Sequence, residues 1–125
     1  MDSGNLISRH LLPNGLTLEL WDQSRPVAGN RWYTCLETRI IIPVRPNLPP
    51  ELKPRADQVV EALGEEVIFS RQEERNFIAA SEFPAIFQDM QDRMLELAPG
   101  YFGHRDFAPK YIGKTYAAAQ LRPQS

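Results

Sequence analysis

Five prolines, Pro43, Pro46, Pro49, Pro50 and Pro54, fall within twelve residues near the middle of a 125-residue chain. Proline fixes φ, donates no backbone hydrogen bond and prefers extended polyproline geometry, so no strand continues through such a stretch. The residues before it and after it must therefore form separate elements, and segment 43–54 reads as a stiff connector between strand and helix. Pro43-Val-Arg-Pro46 and Pro46-Asn-Leu-Pro49 share the PxxP spacing of SH3 ligands, but the basic flanking residue that orients such ligands is missing.

Upstream of the prolines the pattern is that of β structure. Asn14-Gly15 tolerates the positive φ of a tight hairpin turn, and Pro13 helps to end the incoming strand. Leu16, Leu18 and Leu20 then alternate with Thr17, Glu19 and Trp21, a half-buried strand whose tryptophan points away from its leucines. Arg31 to Val44 is a longer strand, rich in β-branched and aromatic residues. Trp32, Thr34, Leu36, Thr38, Ile40 and Ile42 make its core face; Tyr33, Cys35, Glu37, Arg39 and Ile41 make a face that Glu37 and Arg39 mark as partly exposed.

Downstream the pattern changes. Ala56, Val59, Val60 and Leu63 recur at helical spacing before Gly64, predicting a helix over 51–64. Residues 65–78, with Val67-Ile68-Phe69 and a charged remainder, read as an edge strand. A helix over 81–100 starts at Ser81, carries the stripe Phe83, Ile86, Phe87, Met90, Met94 and Leu97, and ends at Pro99-Gly100. Residues 100–125 form a less regular, basic and aromatic tail with a short helix near 110–121.

The order β-β-β-α-β-α predicts a single α+β domain over 1–125. It has two layers: a mostly antiparallel sheet of about four strands, and helices packed on one face. Parallel β-α-β alternation is not supported. The turn sequence "LLPNGLTLEL" resembles the opening strand of the metallopeptidase family that carries the HxxEH zinc signature. The likeness covers ten residues and the signature is absent, so it implies a hairpin and nothing of that family's chemistry.

A hydrophobic fraction of 42% in a chain of this length suffices for a core without metal or disulfides. The one cysteine, Cys35, fits a reducing compartment, the N-terminus lacks a signal-peptide pattern, and no run approaches about 18 apolar residues. A cytoplasmic protein without membrane contact is expected. Acidic residues outnumber basic ones eleven to five over 51–99, whereas 100–125 carries four basic residues against one acidic, so nucleic acid is disfavoured in the middle of the chain.

The motifs of catalysis are missing. Cys35 lies mid-strand without a basic neighbour, which suits a structural thiol. His10 and His104 are 94 residues apart and lack ligand-spaced partners, glycine-rich phosphate loops are absent, and no nucleophile elbow occurs. No catalytic residue, metal or cofactor is expected, and the enzymatic reading takes second place.

Two places invite binding. Trp21 and Trp32 bracket ten residues, so a tryptophan pair could pin the base of a long loop, with Asp22 paired to Arg25 or Arg31. Trp21, Ser24, Arg25, Asn30, Arg31 and Trp32 are its candidate ligand or anion contacts. In the tail, Tyr101, Arg105, Lys110, Tyr111 and Lys114 interleave aromatic and basic groups as single-stranded nucleic-acid binders do. The leading expectation is a non-catalytic protein-interaction module that self-associates as a homodimer or meets another protein partner. A small-ligand or enzymatic domain at the Trp21–Trp32 loop is the alternative, and nucleic-acid binding by the tail a weaker one.

Overall fold

The proline segment does not stay extended. In the computed structural model, which describes residues 4–121, it curls into two 3-10 turns, 45–47 and 50–55, because prolines occupy the first-turn positions where a missing N–H costs nothing. Leu48 and Pro49 are buried there, so the expected spacer is part of the packing.

Five strands precede, flank and follow it: β1 (Asn5–Leu11), β2 (Thr17–Asp22), β3 (Arg25–Pro26), β4 (Arg31–Pro43) and β5 (Glu66–Ala79). Three helices complete the fold, α1 (Ala56–Leu63), α2 (Phe83–Tyr101) and α3 (Phe107–Gln120). All strand pairs are antiparallel. β2 and β3 lie end to end along one side of β4, β1 pairs β2, and β5 takes the other side of β4 along almost its full length. The architecture is α+β with an open antiparallel sheet, as the sequence order implies.

The β1–β2 turn is wider than a two-residue hairpin. The Gly15 amide donates to the Leu12 carbonyl at 2.9 Å and the Leu12 amide to the Leu16 carbonyl at 2.8 Å. Gly15 alone takes the positive φ, 88°, so Pro13-Asn14 form the turn and Gly15 the bulge that closes it.

The even-numbered face of β4 is the core face. Thr34, Thr38, Ile40 and Ile42 are fully buried there and Leu36 nearly so, beside Leu18 and Leu20 of β2. The helices cover this face with Val59, Phe87, Met90, Met94, Phe102 and Ile112. α1 ends at Gly64, whose φ of 91° suits glycine. α2 is capped at Glu82, one residue beyond Ser81, and runs through Pro99 and Gly100 to Tyr101. A proline in the last turn removes only one hydrogen bond, and the Phe102 and Gly103 amides close the end by donating to the Ala98 carbonyl. The apolar stripe accordingly reaches Ala98, at 2% exposure, while Leu97 stands 47% exposed.

Where an irregular tail over 100–125 is expected, residues 107–120 form a regular fourteen-residue helix, and 122–125 lie outside the described residues. Ala108, Ile112 and Tyr116 of α3 recur every four residues and are buried, and the Pro49 ring packs beside Gly113, 3.7 Å from where a Cβ would stand.

Candidate functional site

The Trp21–Trp32 segment is a short hairpin with a kink, and its length needs no further reason. Ser24 makes the kink. Its Oγ accepts from the Cys35 amide at 2.9 Å, its own amide donates to Asp22 Oδ1 at 2.9 Å, and the Gln23 amide donates to the Cys35 carbonyl at 3.0 Å. The Asp22 carboxylate thus turns inward to its own backbone. Pairing then resumes at β3, where Arg25 faces Tyr33 and Pro26 faces Trp32. Val27 donates to the Arg31 carbonyl at 2.9 Å, leaving only Ala28, Gly29 and Asn30 within the loop. Gly29 supplies the positive φ, 64°.

The two tryptophans lie on opposite faces of the sheet. Trp32 is on the helix side, stacked on Phe83 with ring centroids 4.7 Å apart, and Phe83 stacks in turn on Phe87. This column ties the start of α2 to the sheet. Trp21 faces the other side, opposite Glu37 of β4. Arg25 lies over the Tyr33 ring at 4.8 Å, and Asn30 and Arg31 sit exposed at the hairpin tip. The six loop candidates are therefore not gathered around one space.

On the face without helices, a compact polar cluster forms that residue-type reasoning missed. The Arg39 guanidinium lies over Trp21, 4.2 Å from the ring centroid, and its Nη2 reaches Glu37 Oε1 at 2.9 Å. Gln23 Nε2 donates to the same oxygen at 2.8 Å and Ser70 Oγ to Glu37 Oε2 at 2.6 Å. Trp21 Nε1 donates to Glu19 Oε1 at 3.0 Å, and Arg9 pairs with Glu19 at 3.1 Å. Glu37 is only 6% exposed, although the alternation predicts partial exposure. Burial by itself pushes its carboxyl up, but hydrogen bonds from Arg39, Ser70 and Gln23, with the Arg39 charge, outweigh that and hold it below the ordinary value. Such a carboxylate has its lone pairs engaged and is a poor proton acceptor. The signal was present as Glu-x-Trp in β2 and Glu-x-Arg in β4, but only the register makes them neighbours.

Cys35 is next on this face and 1% exposed. Burial raises its thiol, a hydrogen bond with Tyr33 opposes the rise, and the carboxylates of Glu74, Glu37 and Asp22 add to it. Tyr33 is pushed up to about 12, first by that same hydrogen bond with Cys35. Burial and the raised thiol suit a cysteine that serves the packing of the sheet.

The tail candidates are brought together more closely than the loop candidates. A cleft of about 480 Å³ opens where α2 turns into α3, and Tyr101, Lys110, Tyr111 and Lys114 line it. Phe69 of β5 and Phe107 complete its aromatic wall. Arg105 is exposed but lies outside this lining. Among the described residues, no three His, Cys, Asp or Glu side chains gather in a way that could hold a metal ion. No helix among them is long and apolar enough to cross a membrane. Comparison with protein-family models, with curated proteins and with solved structures finds no match to this chain.

Proposed function

We propose that this chain is a non-catalytic protein-interaction module that self-associates, and that β5 is the surface through which two copies meet. The observation that carries the reading is the free edge of β5. This strand is fourteen residues long and, among the described residues, pairs β4 alone, so one row of its backbone groups has no described strand beside it. A long open edge is a template for a further strand, and identical strands pair antiparallel about a two-fold axis.

The charges on β5 support one register. On the helix side its residues are Val67, Phe69, Arg71, Glu73 and Arg75; on the other, Ile68, Ser70, Gln72 and Glu74. With the two-fold at Gln72, Arg71 lies opposite the partner's Glu73, and Glu73 opposite the partner's Arg71. A two-fold at Glu73 would set that carboxylate against itself and Arg71 against the partner's Arg75. A two-fold at Glu74 repeats the carboxylate clash and runs into the irregularity where Trp32 pairs Ile78 but Thr34 pairs Arg75. Like charges directly opposite are unfavourable, so of these three centres Gln72 is the one the charges favour.

The same reading includes a cytoplasmic setting, in keeping with a single, free and buried cysteine. The test is native mass spectrometry with sedimentation of the untagged protein across roughly 1–100 µM, the range in which modest interfaces assemble. A dimer that grows with concentration is the expected result; a monomer throughout overturns the reading.

A further inference from the structure

The α2–α3 cleft combines an aromatic wall with a cationic rim. Its wall is aromatic. Phe69 meets Phe107 and Tyr111 edge to face, at 5.3 and 5.4 Å, which fixes both rings from beneath. Phe107 and Tyr111 are near parallel, 14° apart in plane, and the Tyr111 hydroxyl is held by the Ile68 carbonyl at 3.4 Å. Tyr101 stands 58% exposed at the mouth, 6.4 Å from Phe107, so part of its ring surface remains open. These rings are positioned by the core and cost little further ordering to use.

Its rim is cationic. Lys110 and Lys114 are one turn apart on α3, and both border the cleft and the adjoining hollow of about 410 Å³ over Pro49 and Pro50. Two carboxylates share this neighbourhood. Asp106 lies 3.7 Å from His104 Nδ1, and Glu51 borders the outer hollow only. Within the aromatic cleft the lysines outnumber the acid.

We propose that this cleft binds a planar aromatic ring carrying an anionic group, the ring lying against Tyr101, Phe107 and Tyr111 and the anion held by Lys110 and Lys114. Stacking accepts any π face, and the lysines add the preference for negative charge. The volume suits one small molecule. A strand of nucleic acid would need further cations along its backbone, and Arg105 lies outside the cleft. The site adjoins β5 through Phe69 and the Ile68 carbonyl, but its chemistry does not rest on the pairing proposed above.

The experiment is a titration of the full chain with adenosine monophosphate, indole-3-acetate, adenosine and inorganic phosphate, followed by amide NMR shifts and by calorimetry at low salt. Saturable binding of adenosine monophosphate or indole-3-acetate is expected, with shifts concentrated in residues 100–114. Which of the two binds more tightly distinguishes a nucleotide from an aromatic carboxylate. Adenosine and phosphate alone are expected to bind at least roughly tenfold more weakly, since each lacks one of the two contacts. Tyr101→Ala, and separately Lys110→Ala with Lys114→Ala, each lower affinity by about tenfold or more while shifts elsewhere stay unchanged. All of these side chains except Tyr101 are cationic and exposed, and Tyr101 is itself more than half exposed, so the fold survives the changes. Binding of neither anionic ligand, equal binding of adenosine, or affinity indifferent to both variants overturns the proposal.

Discussion

The Arg39 guanidinium lies over the Trp21 indole, 4.2 Å from its centroid, on the face of the sheet that the described helices leave open. An antiparallel sheet with one open face ordinarily keeps that face wet. Here the stacked pair forms a roof, and beneath it Glu37 is removed from water. The arrangement works because three donors converge on that carboxylate at 2.6–2.9 Å. A buried charge without such partners would be costly.

Replacing Glu37 follows from this. Glu37→Ala leaves Arg39, Gln23 and Ser70 without their shared acceptor and is expected to cost about 2–4 kcal/mol. Glu37→Gln keeps the volume and one acceptor and costs less. The pH dependence is the sharper reading. Because the folded carboxyl is held below its ordinary value, its stabilising contribution is complete above the unfolded value of about 4.3 and is lost as pH falls through the folded value. Urea midpoints of wild type and Glu37→Gln are therefore expected to differ near neutral pH and to converge as pH falls below the folded value. A gap that stays constant into acid would assign the acid sensitivity to another group.

Asn14 joins the first hairpin to the far end of the helical layer. Its Nδ2 donates to the carbonyls of Phe102 at 2.9 Å and His104 at 3.2 Å, while its Oδ1 accepts from the Leu16 amide at 3.2 Å. Gly103 is buried at the same joint, where an added Cβ would overlap the Pro13 ring and stand 2.6 Å from the Pro99 carbonyl oxygen. Asn14→Ala is expected to cost about 1–2 kcal/mol and Gly103→Ala about 1–3 kcal/mol. Since both loosen one contact, the double variant should lose less than the sum, measurable by chemical denaturation.

Two threonines on the core face of β4 present the opposite case. The hydroxyls of Thr34 and Thr38 are fully buried and, among the described residues, have no hydrogen-bond partner. Valine has the same shape, a better strand preference and no hydroxyl to bury. Thr34→Val and Thr38→Val are each expected to raise stability by about 1 kcal/mol in urea unfolding. A loss of similar size would reveal an acceptor for that hydroxyl.

Alternation made β4 legible, since its even residues from Thr34 to Ile42 are the ones that meet the helices. The same parity put Trp32 among them and Trp21 away from the leucines, yet the loop was expected to be pinned by a tryptophan pair, and their placement on opposite faces overturns that pair. What the pattern could not supply was register. Trp21 finds Glu37, and Glu37 finds Ser70, only because the β2–β4 and β4–β5 alignments bring residues 16 and 33 positions apart side by side. The helical ends were misread for a related reason. Pro99 and Gly113 look like breakers in isolation, but one occupies the last turn of α2 and the other is where a proline ring packs against α3. Tertiary contact overrode local propensity at both.

The β5 edge gives the last prediction. In the register centred on Gln72, Arg71 and Glu73 meet their counterparts twice, so one substitution acts at two places. Arg71→Glu turns both pairs from attractive to repulsive, and with about 0.2–1 kcal/mol for each cross-strand pair and a similar penalty for its reversal, dimer affinity is expected to fall roughly tenfold or more. Arg71→Glu combined with Glu73→Arg restores the complement with the signs exchanged and should recover most of the loss. Arg71 is exposed, so the thermal midpoint of the dilute monomer should change little under the single substitution. Sedimentation equilibrium of the three proteins at two salt concentrations separates the outcomes. Rescue by the paired exchange places the interface on this edge in this register. A dimer equally tight in all three would move the interface elsewhere on the surface, and the charge pattern of β5 would then serve to keep strands apart.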